Sequence, residues 1–417
     1  MCALQACASG GWGSGPGGGG EPLQLLTLGP AREFAGGIEA LREARQWLRG
    51  FHGPEPFRAF LIGWLSYELG RELESLPGRC ANEMPVDTVQ LAGFRAVYRF
   101  DPVSGLGRVV GGDPEAVERL AEQVRRALKV PAPVDSPVPR LPRPRPRSSD
   151  RAFRDGIRAI QAWIRAGDVY QVNLSRRLDV RPVPPARLPL LYRRLTAQSP
   201  APFSAYLELG ETVVLSNSPE RFLRVAGDRV ETCPIKGTRP RGLSPEEDAR
   251  LARELLSSEK DRAEHLMIVD LERNDLGRVC HTGSVEVRRL GALQALPRVF
   301  HLVSSVVGRL RERDDWVGLL RASFPGGSIT GAPKLRAMEI IEELEPVRRG
   351  VYTGALGYFD ASGGVDLSLA IRTAIANHGG LSLHLGSGIV ADSDPDAELR
   401  ETRDKGRSFA ELWGDPE

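Results

Sequence analysis

"YTGALGYFDASGGVDLSLAIRTAIANHGGLSLHLGSGIV", residues 352–390, decides the reading of the fold. It contains strand-length apolar runs broken by glycine-bearing segments at 362–364 ("SGG") and 378–380 ("HGG"). Short runs joined in this way pair antiparallel, because a tight turn reverses the chain while parallel neighbours need a long crossover. The pattern recurs upstream in "VYQVNLSRRLDV" (169–180), "FSAYLEL" (203–209), "TVVLSN" (212–217) and "RFLRVAG" (221–227), the last running into a Gly-Asp turn at 227–228. "FRAVYRF" (94–100) and "GRVVGG" (107–112) read alike. Helical patterns lie between them, at 37–50 and at 150–167, where Phe153, Ile157, Ile160 and Ile164 are helically spaced and Gly167 marks the stop. The expectation is an α+β fold of large antiparallel β-sheets packed together, with helices on the outside.

The 417 residues suffice for two domains or one large composite core. With 56 basic and 54 acidic residues, nothing in the charge asks for nucleic acid or an anionic membrane. The five cysteines (Cys2, Cys7, Cys80, Cys233, Cys280) are scattered without a C-x-x-C, which suits a reducing compartment. No signal-peptide pattern and no apolar run of membrane-spanning length is present, so a soluble, cytoplasmic chain is expected. Residues 1–20, ending in a glycine-rich run, read as a disordered tail, and 21–129 as an N-terminal region. Proline and arginine crowd residues 130–150, which read as an extended linker, and 151–415 as a catalytic domain.

"PIKGTRPRG" (234–242) places Lys236 in a segment bounded by proline and glycine, and it reads as a turn between a strand and a helix. A free lysine is about 0.1% or less neutral at pH 7, so a nucleophilic Lys236 needs desolvation or nearby cations such as Arg239 or Arg241. Four carboxylates form a second pattern. Asp261 and Glu264 share one face of a helix starting near Ser258; Glu398 and Glu401 border the apolar stripe Leu399, Thr402, Gly406, Phe409, Trp413 of a helix capped by Asp394 and Pro395, with Lys405 beside them. Facing each other they suit Mg²⁺; spacing alone favours two solvated amphipathic helices. Glycine-rich turns in "FPGGSITGAPKLRAMEII" (324–341) and "LGSGIVADSDP" (385–395) offer backbone N–H groups for a carboxylate. His301, in an apolar run, reads as a core histidine, and Glu220 as a loop glutamate.

In order along residues 151–413, "GDVYQVNLSRR", "SPERF", "PIKGTRPRG", "KDRAEHLMIVDLERNDLGRV", "FHLVS", "FPGGSITGAPK", "GSGIVADSDP" and "ELRETRDKG" resemble the chorismate-utilising enzymes. Within that family the chain is similar to the branch that aminates chorismate at C4 on the way to 4-aminobenzoate and folate. Lys236 discriminates, since the anthranilate-forming relatives usually carry alanine there; "AEH" at 263–265 departs from the "AEN" more usual in the aminating branch. The resemblance implies Lys236 as nucleophile, Glu220 as general acid and His301 as a helper. It implies Mg²⁺ held around Glu264 and Glu401, with Asp261 and Glu398 through water. Gln171, Gly237, Thr238, Tyr352, Arg372, Gly386, Ser387, Gly388 and Lys405 match substrate-binding positions, and Gln171 replaces the lysine base of the water-using relatives. Chorismate and ammonia are the implied substrates, and a separate glutamine amidotransferase subunit the implied partner.

Overall fold

The computed structural model describes residues 1–5, 24–51, 58–130, 141–313, 315–377 and 380–409. Two antiparallel sheets carry the chain. In one, the strands run in the order Gly331–Ala332, Gln171–Val180, Gly380–Ile389, Thr373–Asn377, Thr212–Ser218, Phe203–Leu209, Cys2–Gln5, Gln24–Thr27, Ala96–Phe100 and Gly107–Gly111. In the other they run Ile235–Pro240, Val299–Arg309, Arg229–Cys233, Arg221–Ala226, Val365–Leu369, Ala355–Asp360, Phe60–Leu65, Val89–Phe94 and Arg32–Gly36. Glu286–Ala295 pairs with Val299–Arg309, and Arg145–Pro146 with Gln171–Val180. The α+β expectation holds, and so does the antiparallel pairing read from residues 352–390.

Both sheets mix strands from before and after residue 130, so the N-terminal region and the catalytic region build one composite core. Phe60, Ile62 and Trp64 pack with Phe203, Leu207, Val214 and Leu356 in a single apolar cluster. Cys2–Gln5 corrects the expectation of a disordered tail. They form a strand between Phe203–Leu209 and Gln24–Thr27, with Cys2 and Leu4 turned into the core. Four residues are too short to show a period, and the glycine-rich run after them dominates the local composition. Residues 6–20 and 131–140 lie outside the described residues; the end of the proline-rich segment is extended and bridges the edge of the first sheet.

Helix boundaries follow local chemistry. Ser149 caps Asp150–Ala166 by accepting the Ala152 N–H, and Gly167 ends it in the left-handed conformation, φ 84°. Ser258 caps Glu259–Gly277, and Asp394 with Pro395 opens Pro395–Lys405. Leu399, Thr402 and Phe409 are buried as the stripe predicted, while Trp413 lies outside the described residues. Helix Glu259–Gly277 packs over strands Ile235–Pro240 and Val299–Arg309, and helix Pro395–Lys405 over strand Gly380–Ile389. Two helix-on-strand pairs therefore flank one space.

Candidate active site

"PIKGTRPRG" is a strand, not a turn. Ile235–Pro240 forms the edge of the second sheet, pairing with Val299–Val303 and slipping register between Lys236 and Thr238. Gly237 makes the slip possible: its φ is +69°, and a Cβ there would stand 2.8 Å from Leu255 Cδ1. Proline is tolerated because the strand lies at the edge. The bulge rests under helix Glu259–Gly277, so Lys236 enters a confined space while part of its side chain keeps contact with solvent.

Burial pushes the Lys236 amine below the ordinary lysine value; Glu264, Glu220 and Glu401 oppose the shift, and Lys405 adds to it. The neighbouring cation is thus Lys405. Arg239 is committed to Glu254 and Asp261, and Arg241 to Asp248, so neither serves as the expected cation. Lys236 Nζ donates to the Ser328 carbonyl at 3.3 Å.

Glu220 is buried (4% exposed) where the turn after Ser218 enters strand Arg221–Ala226, not solvent-facing as a loop position suggested. Its Oε1 accepts the Ser328 hydroxyl at 2.7 Å and the Ile235 N–H at 3.4 Å. Burial raises its pKa to about 7, against the Ser328 hydrogen bond and the charge of Lys236. A carboxyl poised there can give up a proton at neutral pH. Ser328 was legible only as part of a glycine-rich motif, and its side chain went unremarked in the sequence.

His301 Nδ1 lies 3.0 Å from Thr238 Oγ1 and 3.3 Å from the Gly237 carbonyl, while its buried Nε2 has no hydrogen-bond partner among the described residues. Burial, then Arg372 and Lys405, bring its pKa down to about 3, so the ring is neutral. It is a core histidine with one polar end left over. Both side-chain amide atoms of the fully buried Gln171 are likewise unpartnered among the described residues. Gly388 lies against both Gln171 and Lys236: a Cβ there would stand 3.1 Å from Gln171 Nε2 and 3.5 Å from Lys236 Nζ. Orphaned buried donors and acceptors cost free energy unless something external meets them.

Gly386, Ser387 and Gly388 sit inside strand Gly380–Ile389 rather than in the expected turn. Beyond Leu383 the neighbouring strand Thr373–Asn377 no longer pairs with it, which frees backbone groups on that edge; Lys405 donates to the Gly386 carbonyl at 3.0 Å. Tyr352 is buried, stacked on His384 at 5.1 Å, its phenol pushed up to about 12 by burial. Arg372 holds a left-handed backbone, φ +50°, and its guanidinium makes no ion pair or hydrogen bond among the described residues. Burial lowers its pKa, with Glu220 opposing.

Among the described residues no three Asp, Glu, His or Cys side chains converge closely enough to hold a metal ion. Asp261 pairs with Arg239 at 3.0 Å, Glu264 with Lys260 at 3.8 Å and Glu401 with Lys405 at 2.7 Å. Glu398 accepts the hydroxyls of Ser387 and Ser393. The donor chemistry still fits a hard cation: the oxygens are all carboxylate, and burial raises Glu264, with Asp261 and Glu398 adding repulsion. Lysine ammoniums stand where extra positive charge is wanted.

An arrangement of this kind suits catalysis on a small anionic molecule. Over residues 21–411 the chain matches the chorismate binding enzymes, and it belongs to that family. It is 41% identical over 351 residues to aminodeoxychorismate synthase component 1 of Salmonella typhimurium, covering 84% of this chain and 76% of that one. It is equally 41% identical over 375 residues to an anthranilate synthase component 1 of Haloarcula marismortui, covering 85% and 76%. The crystal structure of anthranilate synthase component I from Streptococcus pneumoniae aligns with TM-score 0.82 at 31% identity, covering 93% of this chain and 92% of the other.

Proposed function

We propose that this chain aminates chorismate at C4 with ammonia, giving 4-amino-4-deoxychorismate, as the synthase subunit of a transaminase-class aminodeoxychorismate synthase. One observation carries the reading: the Lys236 amine and the Glu220 carboxyl both bond to Ser328, where burial lowers the pKa of the amine and raises that of the carboxyl to about 7. The neutral amine attacks C2, the ring double bonds shift, and the C4 hydroxyl leaves as water with the proton of Glu220. Ammonia then attacks C4, the C2–Nζ bond breaks, and Lys236 departs as the free amine. The new ammonium returns one proton to Glu220, so the enzyme ends as it began.

Arg372, Tyr352, Thr238, Lys405 and the backbone of Gly386–Gly388 receive the substrate's carboxylates, and the unpaired guanidinium of Arg372 suits that role. His301, neutral throughout the working range, positions substrate through Nε2. Gln171 does not titrate, so it activates no water. Mg²⁺ would be held by Glu264 and Glu401, with Asp261 and Glu398 through water, and would supply positive charge to the ring carboxylate once Lys260 and Lys405 yield their partners.

Ammonia has to come from elsewhere. Burial raises the described thiols, Cys2 to about 12, Cys280 to about 11, and Cys80 and Cys233 upward as well, so none is a ready nucleophile for glutamine hydrolysis. Relatives named component 1 support a separate amidotransferase partner. No helix of the described residues is long and apolar enough to cross a membrane.

Mass analysis of products from chorismate, Mg²⁺ and an ammonium salt at alkaline pH tests the reading. Aminodeoxychorismate with its pyruvyl ether intact is expected. Anthranilate, recognised by its fluorescence, would move the chain to the other branch.

A further inference from the structure

Ser328 touches both halves of the proposed chemistry with different atoms. Its hydroxyl donates to Glu220 Oε1 at 2.7 Å, and its carbonyl accepts from Lys236 Nζ at 3.3 Å. The residue is buried in the short turn Gly327–Ile329, and that turn is tied down from every side. Asn173 Nδ2 and Arg349 Nη1 both donate to the Ile329 carbonyl, at 3.1 and 3.0 Å. The Asn173 N–H donates to the Thr330 carbonyl at 2.8 Å, and Thr330 Oγ1 donates back to the Gly326 carbonyl at 2.9 Å. A residue so held cannot drift, and neither can the groups bonded to it.

From this geometry we infer that Ser328 is a positioning residue that fixes nucleophile and acid relative to each other and keeps the spent acid hydrogen-bonded. Its hydroxyl and the Ile235 N–H both reach Oε1, which leaves Oε2 to carry the proton that departs. After that proton has gone, the Ser328 hydrogen bond stabilises the carboxylate left behind. Among the influences holding the Glu220 pKa down against burial, this bond ranks first, ahead of Lys236. The charged groups facing Glu220 from the surrounding elements are Lys236, Lys405, Glu272 and Arg372, and replacing Ser328 alters the charge of none of them.

The inference rests on the reading in which Lys236 and Glu220 perform the chemistry, so its test includes a measurement that needs no turnover. Chains labelled with ¹³C at the glutamate carboxyls would be titrated by NMR without substrate, using Glu220→Gln to assign the Glu220 signal. In Ser328→Ala the Glu220 midpoint should rise by about one pH unit, the size of one charge-assisted hydrogen bond. The basic limb of the rate profile, taken at constant free ammonia, should rise with it. kcat should fall on the order of 10- to 100-fold with KM within twofold, and Ser328→Thr, which keeps the hydroxyl, should restore both midpoint and limb. An unmoved Glu220 midpoint in Ser328→Ala overturns the inference. So does a Ser328→Thr chain no better than Ser328→Ala, which would assign the loss to packing. A wild-type chain that forms no amino product sinks the proposed function instead, while the NMR arm still decides on Ser328.

Discussion

Two arginines lie 23 positions apart, Arg349 deep in the protein and Arg372 half-buried, and the fold treats them in opposite ways. Arg349 is fully paired: Glu345 accepts from Nε and Nη2, and the Ile329 and Asn173 carbonyls take further donors. Burial alone would lower its pKa, but Glu345 reverses the shift. Arg372 has no such partner among the described residues, and its pKa goes down. Lys236 and Gln171 stand on the same side of this divide, the one desolvated, the other with its amide orphaned. The structural charge of Arg349 is neutralised from within, while in the proposed function the groups around Lys236 are completed by substrate.

Lys236→Ala tests the functional side most severely. Chorismate turnover with ammonium should drop by three or more orders of magnitude, with only direct ammonia attack remaining, while thermal stability holds or rises because a desolvated amine is gone. Unchanged turnover would make the lysine a bystander. On the structural side, Glu345→Gln strands the Arg349 guanidinium and should cost about 3–5 kcal/mol of stability by urea unfolding.

Next in size is a pH effect. Glu220 goes from 4.5 to about 7 on folding, so the native state binds the extra proton between those values and stability falls as pH rises through that window. The fall attributable to this residue is about 3 kcal/mol. Glu220→Gln should remove it, seen as a flatter curve of unfolding free energy from pH 4.5 to 7. Smallest in stability is Arg372→Gln, expected within about 1 kcal/mol of wild type because no internal pair is broken. The same variant should raise the chorismate KM by about 100-fold. A stability loss as large as that of Glu345→Gln would erase the contrast between the two arginines.

What the sequence disclosed follows the range of the interactions involved. The stop at Gly167 and the starts at Ser258 and Asp394 act within four residues, so the helices were legible. Lys236 was misplaced on a turn because its strand partner begins more than 60 residues later and only proline and glycine are visible nearby. The GSG run read as a turn for the same reason: Gly388 serves a close approach of Gln171 and Lys236, and Gly386 one of Tyr352 and Asn173, all arriving from other segments. Lys236, Glu220 and Gln171 were found through ordered motifs rather than spacing. Ser328 sat unremarked inside one of them, since nothing local says that its hydroxyl meets Glu220.

The strand at Cys2–Gln5 has a consequence for synthesis. It is the inner neighbour of Phe203–Leu209, which the ribosome makes about 200 residues later. At about 5–20 residues per second, those first residues wait on the order of 10–40 s for their partner. Throughout that interval an apolar β-segment is exposed with both edges open or only one covered by Gln24–Thr27, the kind of surface that pairs with other nascent chains. The first sheet closes late around a strand made long before its partner, so its yield in a crowded translating cell depends on how well that early strand is shielded.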